Sequence, residues 1–516
     1  MFLTKITQIF YVLCLISFSS FAQTDALKKI DKANLERHLK FIASDELQGR
    51  KLGTEVDGLG ITANYIADFA KQTGLKPGAD NYFQTVDILS VKPGENSFIE
   101  IQNTKGKSLF KTNSLIAIGG PQATQQIEMK DPILLGFGEN EIPDVNGKVV
   151  VVAQGNAELF KKGNVFGWNR GMEQRKITMI SEKKPEAIII VTNPNDKENK
   201  TFKQIDSWIN RETYSLKYKA RNDQPLVILT KPDFTDKLLG GKGKFKKYLT
   251  EIAEGKITNA DLPANKKLNL KVEKQVESVA GKNVIGVVEG SDPQLKNEYV
   301  VFMAHYDHIG MGKDGEVFNG ADDNGSGTVA IMEVAKAFMS LETKPKRSIV
   351  FLWVTGEEIG HFGSMYYCDH LIFPLEKTVA AINLDMVGRV YDGPRDDVWK
   401  DSPKKVKDFD GLYTLSNDVW PKLAEINDQK CKELGLVPDT SLPKDPFLRA
   451  SDHYHFHKNG VPILNYATGY HADYHKVGDE VEKINFDKIK RVADLCFLVG
   501  LEVANTDHIE IAGKQE

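Results

Sequence analysis

The sequence contains little cysteine, with four residues in a chain of 516. Cys14 lies in an apolar N-terminal stretch, so Cys368, Cys431 and Cys496 are the cysteines of the remaining chain. So few cysteines exclude the disulfide-rich scaffold that small secreted domains use to compensate for a small core. One pair of the three could still form a bridge, and the sequence does not indicate which pair. Cys496, in the run VADLCFLVG, is expected to be a buried helical residue.

The sequence also lacks an excess of either charge. It has 67 basic and 71 acidic residues and a net charge of -4, which gives no indication of nucleic acid or an anionic membrane as a partner. Hydrophobic residues make up 41% and charged residues 27%, as in an ordinary globular protein. Internal repeats and low-complexity tracts are absent from the sequence. At 516 residues the chain is too long for one ordinary core, so we expect at least two domains.

Long apolar runs are missing as well. The apolar stretch from Ile6 to about Phe18 follows an early lysine and is too short to span a bilayer. Ser20 and Ala22 come after it as the small residues of a signal-peptidase site. We therefore expect residues 1–22 to be a signal peptide cleaved after Ala22. The mature protein is expected to be secreted or periplasmic and to have no membrane span.

Apolar strands alternate with helical runs in the C-terminal half of the chain. The strand candidates are NVIGVVEG, EYVVFMAHYDH, RSIVFLWVTGEE, VAAINLDMVG and VPILNYATG. Such near-continuous apolar strands predict an α/β fold with a largely parallel sheet that helices cover on both faces. Residues 23–92 have helical periodicity and one strand-like segment. Residues 93–275 contain short β-like runs between Lys-rich polar segments, which predicts a separate β-rich module.

Charged or imidazole side chains follow several of these strands. YVVFMA leads into His305, IVFLWVTG into Glu357 and Glu358, and AAINL into Asp385. Strand alternation places His305 and Asp307 on the same side. Because ligands of parallel α/β sheets bind beyond the carboxyl ends of the strands, the pattern predicts a functional site at that edge.

Two loops add further candidates. The segment NGADDNGSGTVA, residues 319–330, carries Asp322 and Asp323 immediately before a helical run. Asp322 is expected to be a turn and cap residue rather than a ligand. The segment HADYHKVGDE adds His475 near the end of the chain.

These side chains suit divalent metal binding. Imidazole and carboxylate ligands without thiolate favour zinc, with manganese or cobalt as possible substitutes. A loop carboxylate such as Asp323 could bridge two ions about 3.5–4 Å apart. The adjacent Glu357 and Glu358 could supply one ligand and one general base for a metal-bound water. The residues therefore predict a metal-dependent hydrolase.

Six motifs occur in the order HYDH, GADDNGSG, TGEEIG, NLDMVGR, SDHYHF and ADYHKVGD. With this set, almost the whole mature chain resembles the secreted zinc aminopeptidases of metallopeptidase family 28, which are co-catalytic two-zinc exopeptidases. The resemblance implies a zinc-exopeptidase-like fold with a mixed, mainly parallel sheet flanked by helices. It assigns residues 23–92 and 276–516 to the peptidase domain, and residues 93–275 to an inserted β-rich protease-associated (PA) domain.

The resemblance also implies a set of metal ligands. His305 and Asp385 would bind one zinc ion. Glu358 and His475 would bind the other, and Asp323 would bridge both.

Three further residues receive catalytic roles from the same resemblance. Glu357 would be the general base and later the general acid. Asp307 would hold the imidazole of His305, and Tyr474 would stabilise the tetrahedral oxyanion. His308 and His361 adjoin the motifs and are expected to line the cleft.

The implied activity is that of an aminopeptidase acting on peptides with a free N-terminus. One alternative is a carboxypeptidase or dipeptidase, which would need a cationic group for the substrate carboxylate; Arg170, Arg389 and Arg449 are candidates. The other is a non-catalytic receptor-like binding protein, which would have no use for Glu357 as a base. Arg50, in the segment DELQGR, is expected to have a structural role near the peptidase core.

Overall fold

The molecule is described here by a computed structural model. It covers residues 23–163, 167–220, 222–257, 265–390, 409–441 and 443–511. The expected signal peptide, residues 1–22, lies outside these ranges, so its cleavage and the secretion of the protein stay predictions. Within the described ranges, no helix combines the length and the apolar composition that crossing a bilayer requires.

The chain divides into two units. The first consists of Met1–Asp87 and Val279–Glu516, and the second of Ile88–Ser278. Two strands, Phe83–Pro93 and Lys274–Val288, carry the chain out of the first unit and back into it. The assignment of residues 93–275 to a PA domain stays a prediction.

Several helices begin at residues whose side chains cap the first turn. Before the first helix the side chain of Asp31 accepts a hydrogen bond from the Ala33 N–H, and before the last one Asn485 accepts from Lys488 N–H. Such caps satisfy backbone donors that the first helical turn leaves without partners. In chain order, the helices are α1 (Lys32–Ile42), α2 (Gly58–Thr73), α3 (Ala157–Lys161), α4 (Arg170–Ser181), α5 (Lys200–Ile209), α6 (Pro232–Leu238), α7 (Lys244–Ala253), α8 (Gly327–Ser340), α9 (Phe362–Asp369), α10 (Pro421–Glu433), α11 (Lys444–Phe447), α12 (His453–Lys458) and α13 (Phe486–Asn505).

The strands are short apart from the two that connect the units. In chain order, they are β1 (Lys76–Pro77), β2 (Phe83–Pro93), β3 (Phe98–Asn103), β4 (Ser108–Thr112), β5 (Leu115–Gly119), β6 (Gln125–Lys130), β7 (Pro132–Leu134), β8 (Val149–Ala153), β9 (Ala187–Val191), β10 (Thr213–Leu216), β11 (Leu226–Thr230), β12 (Lys266–Val272), β13 (Lys274–Val288), β14 (Tyr299–His305), β15 (Gly310–Met311), β16 (Val317–Phe318), β17 (Ser348–Val354), β18 (Thr378–Leu384), β19 (Gly411–Ser416), β20 (Val437–Asp439) and β21 (Ile463–Ala467).

The main sheet of the first unit has the strand order β13-β17-β14-β18-β21-β19-β20. Strands β17, β14, β18 and β21 are parallel neighbours. Strand β13 is antiparallel to β17, β19 is antiparallel to β21, and β20 is parallel to β19. The predicted α/β class, with a mixed and mainly parallel sheet flanked by helices, is therefore confirmed.

Helices cover both faces of this sheet, which explains why its central strands are apolar at every position. On one face, Met303 of β14 packs in a core cluster with Tyr367 of α9. On the other face, the Phe302 ring lies 5.9 Å from the ring of Phe338 in α8. The Phe338 ring in turn lies 4.8 Å from that of Phe497 in α13. Alternate residues of one strand thus bury against different helical layers.

The second unit contains the sheets β5-β11-β9-β8-β7 and β4-β3-β12-β6. It also contains helices α3 to α7. Phe202 and Ile205 of α5, and Phe245 and Leu249 of α7, bury one face of helices that are otherwise polar. A single apolar stripe is enough to hold a Lys-rich helix against a core.

The cysteines are not paired. Cys368, Cys431 and Cys496 are buried free thiols, so the bridge that the sequence left open is not formed. Cys496 lies fully buried in α13, as its sequence environment indicates.

Candidate active site

The ends of three parallel strands bring together most of the residues predicted for the metal centre. Strand β14 ends at His305, Asp385 follows β18 directly, and Glu357 and Glu358 lie in the turn after β17. His305 and Val354 are register partners, so β14 and β17 end side by side. The carboxyl edge of the sheet is therefore where these side chains meet.

Asp323 lies in the tight turn Ala321–Ser326, which precedes α8. The turn is held from outside, because the carboxylate of Asp479 accepts hydrogen bonds from the backbone N–H groups of Asp322 at 3.1 Å and Asp323 at 3.0 Å. Oδ1 of Asp322 accepts a hydrogen bond of 2.6 Å from the Gly388 N–H. Asp322 is thus engaged in the turn, while the Asp323 side chain is left to face the centre.

The two carboxylate oxygens of Asp323 face different histidines. Oδ1 lies 3.5 Å from Nε2 of His305, and Oδ2 lies 3.1 Å from Nε2 of His475. Oδ1 of Asp385 lies 3.4 Å from the same His305 nitrogen. Oε2 of Glu358 lies 3.1 Å from the same His475 nitrogen. All five residues expected to bind metal are therefore grouped around Asp323.

The donor atoms fit a metal ion. His305 Nε2 and Asp385 Oδ1 are buried, and neither has a hydrogen-bond partner among the described residues. Since buried polar atoms normally have partners, a cation between these two would satisfy both. Nitrogen and carboxylate donors without thiolate suit zinc. Two groups of side chains have donor atoms that lie within 4.8 Å of one another: His305 with Glu357 and Asp385, and His308 with Asp323 and Glu358.

Asp307 supports the centre in a different way from the predicted one. Its carboxylate accepts hydrogen bonds of 3.2 Å from the backbone N–H groups of Glu357 and Glu358. The backbone carbonyl oxygen of Asp307 lies 3.3 Å from Nδ1 of His305. The carboxylate oxygen of Asp307 is farther from the same nitrogen, at 3.8 Å. Asp307 therefore fixes the turn that carries the glutamate pair, and its main chain orients the imidazole.

Tyr474 lies beside the centre. Its ring stacks on the imidazole of His475, with 3.9 Å between the ring centroids. Burial, and then the negative charge of Asp323, raises the pKa of the Tyr474 phenol. The hydroxyl group is consequently a protonated donor at neutral pH.

The two glutamates of the pair differ in their titration. Burial raises the pKa of Glu357 well above its ordinary value; His305 opposes this shift, and neighbouring carboxylates add to it. Burial also acts to raise the pKa of Glu358, but hydrogen bonds from His308 and His475 outweigh it and hold the pKa low. The pKa values of the two neighbouring carboxyl groups are thus shifted in opposite directions, a difference that acid–base catalysis next to a ligand can use.

His308 and His361, which the sequence placed only near the cleft, each contact one glutamate of the pair. Nδ1 of His308 lies 2.7 Å from Oε1 of Glu358, and Nε2 of His361 lies 3.1 Å from Oε1 of Glu357. Glu357 and His361 both precede α9, so no helical periodicity indicates His361; the turn between them brings the two side chains together. For His308, the sequence signal is its position three residues after His305.

Arg50 is fully buried and joins segments of the site through their backbones. Its guanidinium donates hydrogen bonds to the carbonyl oxygens of Tyr306 at 2.8 Å and Gly320 at 2.9 Å. It also donates to those of Ile42 and Asn319, both at 2.6 Å. These contacts are the structural role expected for Arg50.

A buried His–carboxylate centre at the carboxyl edge of an α/β sheet defines the class of metal-dependent hydrolases. Residues 283–499 match the model of peptidase family M28. The chain therefore contains a domain of this family, which confirms the resemblance found in the six motifs. All the residues proposed as ligands, and the glutamate pair, lie within the matched range.

Curated relatives match over part of the chain. Aminopeptidase YwaD of Bacillus subtilis (strain 168) is 29% identical over 242 residues, covering 45% of this chain and 47% of the relative. Leucine aminopeptidase 2 of Arthroderma otae is 28% identical over 270 residues, covering 46% of each chain. The chain thus spans about half the length of the curated relatives it matches.

A solved structure matches over nearly the full length. The aminopeptidase from Aneurinibacillus sp. strain AM-1 superimposes with a TM-score of 0.52 at 17% sequence identity, covering 96% of this chain and 98% of that one. At this identity the similarity concerns the fold.

Proposed function

We propose that this protein is a two-zinc aminopeptidase that hydrolyses N-terminal residues from peptides. The observation that carries the proposal is the placement of Asp323, whose two carboxylate oxygens face His305 and His475 separately. A carboxylate that bridges two ions needs this placement. The aminopeptidase names of the relatives support the same reaction class.

The distances around Asp323 support the ligand set that the resemblance implies. His305 and Asp385 would hold one zinc ion, with manganese or cobalt as possible substitutes. Glu358 and His475 would hold the other, with Asp323 between the two. Bound zinc lowers the pKa of a water molecule and polarises a carbonyl oxygen, which are the two effects that peptide hydrolysis needs.

Glu357 is the residue we assign to proton transfer. Its Oε2 lies 3.9 Å from Nε2 of His305, so the carboxyl group lies against the centre. It takes a proton from the attacking water at a carboxylate oxygen and delivers it to the leaving amine. The Tyr474 hydroxyl, protonated at neutral pH, donates a hydrogen bond to the developing oxyanion.

Arg389, one of the three arginines considered for a substrate carboxylate, already faces carboxylates of the protein. Its Nη2 donates a 2.7 Å hydrogen bond to Asp473. Its Nη1 lies 3.7 Å from a carboxylate oxygen of Asp479. A guanidinium already facing two carboxylates is a poor receptor for a third.

The predicted signal peptide and PA domain belong to the same proposal. With residues 1–22 removed, the enzyme would act on peptides outside the cytoplasm. Residues 93–275 would be the PA domain inserted into the peptidase.

The proposal is tested with a leucyl chromogenic amide and its N-acetylated counterpart. Purified protein would be assayed as isolated, after chelation and after zinc is restored, with bound metal quantified each time. We expect cleavage of the free-amine substrate only, loss on chelation, and recovery with zinc. Absence of cleavage of both substrates by zinc-loaded protein would contradict the proposal, as would equal cleavage of the two.

A further inference from the structure

We propose that His361 is a positioning residue that holds Glu357 in the orientation needed for proton transfer. The inference rests on the proposed function and extends it to a residue outside the ligand set. The contact between Nε2 of His361 and Oε1 of Glu357, at 3.1 Å, carries it.

The carboxylate of Glu357 is shared between two imidazoles. Oε1 faces Nε2 of His361, while Oε2 lies 3.9 Å from Nε2 of His305 at the metal-binding edge. One oxygen is thus anchored and the other is directed at the centre. Rotation of the carboxylate would lengthen the 3.1 Å contact with His361. The His361 side chain is only 19% exposed and that of Glu357 only 12%, so water competes weakly for this contact.

The backbone of His361 adopts a conformation that its side chain disfavours. Its φ is 55°, in the left-handed region, and it occupies the N-cap position of α9. Glycine adopts this conformation without the steric cost that a Cβ atom brings. Non-glycine residues in such conformations occur where the surrounding structure has a use for the side chain. The imidazole of His361 lies 3.1 Å from Glu357, which is the use we infer for it.

Hydrogen bonds on both sides of the residue fix its main chain. The His361 N–H donates to the Glu357 carbonyl at 2.9 Å, and its carbonyl accepts from the Met365 N–H at 2.9 Å. The Ser364 hydroxyl lies 3.1 Å from the same carbonyl and 2.6 Å from Oδ1 of the buried Asp452. The imidazole is therefore presented to Glu357 from a rigid turn.

This geometry predicts an effect on kcat rather than on KM. Glu357 acts on the proton of the attacking water, so its misorientation slows the chemical step and leaves substrate binding nearly unchanged. His361 is outside the proposed ligand set, so its loss should leave the zinc content unchanged.

Three variants separate the side-chain role from the backbone role. In His361→Leu, we expect kcat to fall about tenfold or more, with KM within about twofold of wild type. In His361→Gln, an amide N–H can reach Oε1 and should restore most of kcat. In His361→Gly, stability should equal or exceed that of wild type while kcat stays low. The matched control is His508→Leu, at an exposed histidine whose Nε2 lies 3.3 Å from Oε1 of Glu510. We expect its kinetics to equal those of wild type.

Several results would overturn the proposal. One is a wild-type kcat in His361→Leu. Another is an equal loss of kcat in His361→Gln and His361→Leu, and a third is a loss of kcat that accompanies reduced zinc content. A tenfold effect of His361→Leu that persists in a Glu357→Gln background would also contradict action through Glu357.

Failure of the aminopeptidase proposal is a separate result, shown by inactive wild-type protein with bound zinc. The contact would then be tested by urea unfolding of His361→Leu, Glu357→Ala and the double variant. Non-additive shifts of the midpoint would support the contact, and additive shifts would overturn it.

Discussion

Nε2 of His471 lies 3.2 Å from Oδ2 of Asp322, the neighbour of the proposed bridging residue Asp323. The loop that supplies His475 to the centre therefore also holds the turn that supplies Asp323. Asp479, from the same loop, binds the backbone of that turn. The two loops support each other, so loss of a contact between them should lower the affinity for zinc.

Asp479→Ala should weaken zinc binding without removing a ligand. Residues that orient metal ligands contribute about 10- to 100-fold to metal affinity, and we expect a loss in that range. A competition titration with a chromophoric chelator measures it. Asp507→Ala, at a highly exposed carboxylate, is the control and should retain wild-type affinity. Unchanged affinity in Asp479→Ala would show that the turn needs no outside support.

The glutamate pair should separate into one residue for chemistry and one for metal binding. Glu357→Gln should lower kcat by about 100-fold or more while two zinc ions stay bound, since a general base contributes about 10²- to 10⁴-fold. Glu358→Gln should lower both the zinc content and the activity. Metal analysis alongside steady-state kinetics distinguishes the two. Loss of zinc in Glu357→Gln would instead make Glu357 a ligand.

Arg50→Met should destabilise the first unit strongly. The variant leaves four buried carbonyl oxygens without their donor, and we expect a loss of about 3–5 kcal/mol in the free energy of unfolding. Urea unfolding of metal-free protein measures the change. Arg50→Lys should recover little, since an ammonium group cannot reproduce the geometry of the guanidinium. The exposed Arg37→Met is the control, and a similar loss there would contradict the prediction.

Lys488 should make stability depend on pH in the alkaline range. Burial, followed by the charge of Arg491, lowers the pKa of Lys488 from 10.5 to about 8. Between these values the unfolded chain binds more protons than the folded one, so this group makes the free energy of unfolding rise as pH rises from 8 to 10.5. Below pH 8 its burial is a cost.

The measurement compares wild type with Lys488→Met by urea unfolding at pH 8 and pH 10. Lys488→Met should lose the dependence, a difference on the order of 2–3 kcal/mol across the window. Lys422→Met, at an exposed lysine in α10, should keep the wild-type profile. Parallel profiles for wild type and Lys488→Met would contradict the prediction.

The sequence predicts those residues of the site that lie at the ends of parallel strands. His305 and Asp385 could be placed together because parallel apolar strands end at a common edge, and the structure has both at that edge. Asp479 was not selected, because it acts through backbone N–H groups 156 residues and 157 residues away. Hydrogen bonds of that kind leave no periodicity in the sequence.

For Asp307, the family resemblance implied a role in holding the imidazole of His305. In the structure, two backbone donors in the turn after β17 bind its carboxylate, and its carbonyl oxygen lies nearer to the imidazole. Helices α5 and α7 each carry a narrow apolar stripe between their lysines, and that stripe packs against the second unit's core.

Arg50 has a consequence for how this protein can be divided. Its hydrogen bond to the Tyr306 carbonyl spans 256 residues, and the whole of the second unit lies between the two. The stretch that matches the family model begins at residue 283 and does not include Arg50. A fragment trimmed to that match would contain every proposed ligand and still lack the guanidinium that ties their loops together. During synthesis, the segment that carries Arg50 leaves the ribosome long before Tyr306, Asn319 and Gly320, whose carbonyl oxygens it binds.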